Sequence, residues 1–181
     1  MSNKNEIFDE YLRRNYIEKG DSYTHTRIGD KENKIHGGTY SIKNEKEFLE
    51  NYFNHVFVER NKEYLTEKQL IENAPLVVDI DMRYSTDITT RQHSKEHIID
   101  AIDLYAKNIS KIFEISDKFK IEVFVMEKPT VNILDTKTKD GIHIIFGVSM
   151  HRAAQVLIRE KVMPELKEIW EDLPFVNDID E

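Results

Sequence analysis

The sequence predicts an α+β fold whose second half is a split βαβ unit, on three observations. Short runs with two-residue apolar alternation, PLVVDIDM, FKIEVFVME and DGIHIIFG, read as strands. The stretches SKEHIIDAIDLYAKNISKIFEI and HRAAQVLIREKVMPELKEIWED space their apolar residues as helices do. Their order, β-α-β-β-α, is that of a split βαβ (ferredoxin- or RRM-like) sheet, which one last strand would complete.

The elements can be justified in chain order. NEIFDEYLRRNYIEKG sets Ile7, Phe8, Tyr11, Leu12 and Tyr16 at helical spacing and stops at Gly20. HGGTYSI reads as a turn into a short strand. NEKEFLENYFNHVFVERN returns to helix, with Asn44 as its cap and Phe48, Leu49, Tyr52, Phe53, Val56 and Phe57 as its apolar stripe. Residues 1–72 thus make an N-terminal, mainly helical subdomain, and residues 73–181 the βαββα core. On the first core strand Leu76, Val78, Ile80 and Met82 share one face, leaving Val77, Asp79 and Asp81 on the other. The helix after it aligns Ile98, Ile102, Tyr105, Ile109 and Ile112, and the second strand alternates Ile121, Val123 and Val125. After a loop rich in Lys, Thr and Asp, the third strand sets Ile142, Ile144 and Phe146 against Gly141, His143 and Ile145. In the last helix, Pro164 marks an interruption or a restart.

Composition narrows the function classes. With 39% hydrophobic residues the chain can bury a sizeable core, and no apolar run approaches the ~18 residues of a membrane span. Cysteine is absent, which excludes disulfides and thiolate zinc sites and suits a reducing, intracellular setting. A net charge of −8 argues against coating nucleic acid by charge alone. The acid is uneven, however: eight acidic and two basic side chains fall between Glu160 and Glu181.

In a split βαβ sheet the first and third strands are central neighbours, and both helices cover one face. With the apolar sets under the helices, Asp79, Asp81 and His143 meet on the open face. Carboxylates two residues apart on a strand lie roughly 6–7 Å apart. Such like charges repel, so the pair needs a cation, a proton or a wet site. Acids of this kind suit two-metal phosphoryl or nucleotidyl transfer with Mg2+; the alternative is that they cap the turn RYSTD at a strand end. His143 beside them reads as an imidazole reaching a phosphate oxygen, and Gly141 leaves backbone room for a ligand. Lys139 precedes this strand, while Arg83 follows the aspartates with its side chain expected on the opposite face. Each is either a triphosphate contact or a solvated surface charge. HSKEH, His93 to His97, has the spacing of one zinc-peptidase class but lacks a strong third ligand, and equally suits a helix start. YTHTRI places His25 and Arg27 on one side if extended, as a nucleic-acid or nucleotide contact or a polar loop.

VVDIDMRY, followed by KDGIHIIFG about sixty residues later, resembles the first two motifs of archaeo-eukaryotic primases. FVMEKP and YTHTRI are similar to the branch fused to helicases in large nucleocytoplasmic DNA viruses and related mobile elements. The resemblance implies a primase-polymerase: a nucleotidyltransferase that copies a single-stranded DNA template from NTPs or dNTPs with Mg2+ or Mn2+. It implies that Asp79 and Asp81 bind the metals and that His143 holds the phosphates of the incoming nucleotide. The family's third motif, an apolar residue then Asp, matches Ile179-Asp180 or lies beyond Glu181. The stretch that follows it in the family is absent, so an N-terminal fragment of a longer chain with its own helicase domain is expected, with a viral replication site as its setting. Two rivals stand beside this reading. A non-catalytic nucleic-acid-binding module would expose aromatics on the central strands, where this chain has Gly141, His143 and Ile145. A replication-initiator nuclease would pair two histidines on one strand, where GIHIIF offers one.

Overall fold

A computed structural model of the 181-residue chain describes residues 5–18, 20–115 and 120–176. Helices and antiparallel sheets are divided between two compact units, Met1–Gln69 and Leu70–Glu181, which together give an α+β fold.

The first unit contains α1 (Asn5–Arg14), β1 (Tyr16–Ile17), β2 (His25–Arg27), β3 (Gly38–Tyr40), α2 (Glu45–Phe53) and β4 (Leu65–Glu67). Its helices hold more residues than its strands, yet the strands form one antiparallel sheet in the order β1-β3-β2-β4. The apolar stripe of α1 packs as Phe8, Tyr11 and Leu12 against Tyr40, Ile42, Phe48 and Tyr52. The helix stops at Arg14 rather than running to Gly20, because the Asn15 side-chain Nδ2 donates to the Tyr11 carbonyl (2.8 Å), its backbone N–H turns to the Leu12 carbonyl, and Tyr16 turns into the sheet. Asn44 caps α2 as expected, its side chain accepting from the Glu47 amide. Beyond α2 the chain makes a π turn, Asn54–Val58. Its wider winding shifts the phase of the apolar stripe: His55 is buried, while Phe53 and Phe57 stay exposed.

The second unit contains β5 (Ala74–Tyr84), α3 (Lys95–Ile112), β6 (Val123–Glu127), β7 (Asn132–Ile133), β8 (Thr138–Met150) and α4 (Arg152–Ile169). Its main sheet runs β5-β8-β6, antiparallel throughout, with β7 paired to β8. First and third core strands are therefore paired neighbours, as a split βαβ unit requires, with β5 at the edge of the sheet among the described residues. After α4 the chain returns to the far edge of β5, where Phe175 bridges Tyr84 and stacks on its ring at 5.6 Å. Leu76, Val78, Ile80 and Met82 of β5 join Ile142, Ile144 and Phe146 of β8 in one core with Tyr105, Ile109, Ile158 and Leu166 of the helices. Burying each such side chain contributes about 1.5–3 kcal/mol.

Pro164 does not interrupt α4, which is continuous from Arg152 to Ile169. A proline costs a helix one hydrogen bond, but Ile158, Val162 and Leu166, fully buried on both sides of it, keep the helix seated on the sheet. Ser94 caps α3, and His97 closes a capping box by accepting from the Ser94 amide at 3.0 Å.

Candidate functional site

The pairing of β5 with β8 builds the candidate site. Asp79 stands opposite His143, Asp81 opposite Gly141, and Arg83 opposite Lys139. Because strand side chains alternate, these residues share the face of the sheet away from the helices. The alternation in burial is unbroken from Leu76 to Tyr84, the even-numbered residues being buried and the odd-numbered ones not. Arg83 therefore lies on the same face as Asp79 and Asp81, contrary to the sequence expectation. The strand continues through Tyr84, so a residue two beyond Asp81 returns to its side.

Asp79 and His143 form an open pair, Oδ1 to Nε2 3.1 Å, with side chains 57% and 48% exposed. The next row is tighter. A Cβ on Gly141 would stand 3.2 Å from the Ile80 carbonyl, 3.5 Å from the Lys128 ammonium and 3.6 Å from Asp81 Oδ1. The bare backbone at Gly141 thus lets the Lys128 head and the Asp81 carboxylate approach over the strand. Lys128 is the residue that sequence reasoning missed. Its signal was present, since it stands two positions beyond Met126, which pairs with His143 on this face. On β6, Phe124 and Met126 face the same way, opposite Ile145 and His143, and both are exposed.

Directly beneath lies a second group of charges, turned toward the helices. Asp140 is fully buried and held by Arg91, Nε to Oδ2 3.0 Å and Nη2 to Oδ1 3.2 Å. Arg91 also meets Glu127 (3.0 Å) and donates to the Lys128 carbonyl. His93 touches Glu127 (2.7 Å) and Asp140 (3.4 Å), and Asp140 Oδ1 accepts from the Gly141 amide at 2.9 Å. Hydrogen bonds to Asp140 push the Arg91 guanidinium above its ordinary range. Tyr84 is pushed up as well, first by burial and then by the Asp140 charge. This network fixes the backbone at Lys128 and Gly141 from behind.

The other sequence candidates separate. In HSKEH, His93 belongs to the buried network, whereas His97 serves the helix cap and Asp172 (3.2 Å), so the two share no ligand. His25 and Arg27 do lie on one side of β2, but that side is buried. There Arg27 is paired with Glu63 and Asp9, both at 2.7 Å. Asp180 lies outside the described residues.

For a divalent cation, the donor chemistry at Asp79 and Asp81 fits Mg2+ or Mn2+: carboxylate oxygens, exposed at Asp79 and half-buried at Asp81, beside a bare backbone. Among the described residues, however, no three His, Asp or Glu side chains converge closely enough to hold a metal ion by themselves. Two protein carboxylates leave coordination to be completed by phosphate oxygens or water. No helix among the described residues is long and apolar enough to cross a membrane.

The family model described as the C962R protein N-terminal AEP domain, where AEP denotes archaeo-eukaryotic primase, matches residues 29–181. No curated protein matches the chain.

Proposed function

For a chain that belongs to an archaeo-eukaryotic primase domain family of viral primase-helicase proteins, we propose template-directed nucleotidyl transfer on the open face of β5 and β8, making primers for DNA replication. The observation that carries this reading is the row of Asp79, Asp81 and His143 across two adjacent strands, Asp79 and His143 exposed and Asp81 half-buried, with Gly141 between them. Asp79 and Asp81 would hold Mg2+ or Mn2+, which when bound offsets the negative charge of the triphosphate and of the departing pyrophosphate.

The chain's own side chains do the rest. His143 donates through Nε2, now directed at Asp79 Oδ1, to a phosphate oxygen of the incoming nucleotide and so orients the triphosphate. Lys139 and Arg83, adjacent across the strand pair, offer two cations to the same phosphates, and Lys128 a third. In the reaction the primer's 3′-oxygen bonds to the α-phosphorus, the bond to the β-phosphate oxygen breaks, and the hydroxyl proton passes to water. A single-stranded DNA template, NTPs or dNTPs as substrates, a helicase domain in the same longer chain and an intracellular replication site belong to this reading.

The test is calorimetric titration of ATP and dATP with Mn2+ into the wild type, Asp79→Ala/Asp81→Ala and His143→Ala. Metal-dependent binding lost in both variants is expected; undiminished binding in them would place the nucleotide elsewhere. A second reading, a nucleic-acid-binding sheet without catalysis, draws on exposed Phe124 and Met126 beside His143. It expects metal-independent DNA binding that falls in Phe124→Ala, and no primer synthesis.

A further inference from the structure

The first unit holds a polar cavity of about 300 Å³ that the proposed reaction does not use. Its floor is Arg27 and His55, and its mouth carries Lys34, Arg60 and Lys62. The floor charges are matched internally. Arg27, its side chain 4% exposed, is bound by Asp9 and by both oxygens of Glu63. His55 is also buried, and its Nε2 makes no hydrogen bond, standing 3.5 Å from Glu63 Oε2.

The mouth is different. Among the described residues no carboxylate comes within ion-pair distance of Lys34, Arg60 or Lys62. Of the acids close to them in the chain, Asp30 accepts from Glu32 and Asn33, Glu59 accepts from Asn61, and Glu63 is paired with Arg27. The charge of Lys62 reaches Asp30 only weakly, behind those hydrogen bonds. Three cations around one cavity with no carboxylate in ion-pair contact are unexpected in a chain of net charge −8.

Backbone geometry singles out the same residues. Lys34 (φ 57°) and Arg60 (φ 59°) are the non-glycine residues with positive φ among those described. This left-handed conformation disfavours any side chain with a Cβ. Each is held by a closed turn: Asp30 and Ile35 exchange backbone hydrogen bonds around Lys34, and the Asn61 amide donates to the His55 carbonyl just after Arg60. Glycine would suit both positions better, yet both carry a cation at the rim of one cavity.

We propose that this cavity takes a phosphate group of single-stranded DNA, as an anchor on the first unit separate from the nucleotidyl-transfer site. The lining excludes the other ligand classes. Ile35 is its one apolar side chain, and Asp9, its one carboxylate, is already paired. The choice of DNA over another phosphate source follows from membership of a primase family, whereas the cavity does not depend on Asp79 or Asp81 being catalytic.

The test is fluorescence anisotropy of a labelled dT oligomer with the full chain in EDTA, which silences metal-dependent nucleotide binding. Lys34→Gly/Arg60→Gly removes two charges and relaxes both left-handed positions, so the melting temperature should hold or rise. Its DNA affinity should fall about tenfold at low salt. Adding Lys62→Gln should lower the slope of log affinity against log salt by about 0.7 in all, the value for one single-strand phosphate no longer neutralised. Lys46→Ala/Lys111→Ala, with the charge of the double variant, should leave the slope unchanged. Equal affinity and slope in the glycine variant, or no DNA binding by the wild type in EDTA, would overturn the anchor. A loss confined to ATP titrated with Mn2+ would overturn the choice of DNA. If Asp79→Ala/Asp81→Ala loses nucleotide while the anisotropy is unchanged, the two sites are separate.

Discussion

β8 presents charge in two opposite ways within three residues. Toward the open face, His143 stands exposed beside Asp79, and Gly141 leaves its side of the strand bare beneath Asp81 and Lys128. Toward the helices, Asp140 is fully buried, with Arg91, His93 and the Gly141 amide around it. The residue types are nearly the same on both faces. What differs is how far their partners satisfy them. A buried carboxylate is tolerated because its oxygens are occupied, so it serves the architecture. An aspartate pair with one member exposed and the other half-buried, and one histidine partner, has coordination to spare, so it can serve chemistry.

The largest effect that would sharpen this contrast is Arg91→Ala. It strips Asp140 of its bidentate partner and should cost about 3 kcal/mol in urea unfolding, the low end for a broken buried pair because Arg91 is itself 30% exposed. Asp79→Asn should do the reverse. Stability should stay within about 0.5 kcal/mol of wild type, while primer synthesis by an active longer chain falls about a hundredfold, the scale of removing one positioned transition-state partner. If Asp79→Asn unfolds the chain and Arg91→Ala does not, the division of roles is wrong.

Gly141→Ala lies between the faces. Its Cβ would crowd the Ile80 carbonyl at 3.2 Å, and backbone cannot swing aside as the Lys128 side chain can. A loss of about 1–2 kcal/mol is expected, together with weaker nucleotide binding by calorimetry.

The smallest effect concerns the first unit. Burial alone would raise the Glu63 carboxyl, but the His55 imidazole 3.5 Å away, the Arg27 hydrogen bonds and the Arg27 charge outweigh it and hold it below the ordinary glutamate range. The folded state therefore binds its proton less readily than the unfolded chain. The stabilisation is present above the ordinary value of about 4.3 and is lost as pH falls through the lower folded value. Melting temperatures measured between pH 6 and pH 3 should fall more steeply for wild type than for Glu63→Gln.

Much of the second unit was legible because its strands are long. Eleven residues in β5 and thirteen in β8 show their alternation plainly, and that alternation placed Asp79, Asp81 and His143 on one face. Arg83 was put on the wrong side although the same rule, carried two residues further, places it correctly. Of the sheet of the first unit only the strand in HGGTYSI was legible, from its Gly-Gly turn, since strands of two or three residues carry no periodicity. The π turn was hidden for a related reason: one residue of extra winding re-aims His55 without changing the composition. The Arg91–Asp140 pair spans 49 positions, and nothing local in HSKEH or KDGIH marks it. Buried networks of this kind are set by tertiary proximity, whereas exposed strand residues are set by parity.

The hydrogen bond from Arg91 to the Lys128 carbonyl has a consequence for folding fidelity. β6 is a short edge strand of five residues, and short edges slip easily. A slip of one residue would turn Lys128, Met126 and Phe124 to the opposite face. It would also carry the Lys128 carbonyl and Glu127 away from a guanidinium already clamped to Asp140 on β8. Only the correct register satisfies all three partners, so Arg91 works as a register gauge that penalises misaligned sheets before any substrate meets them.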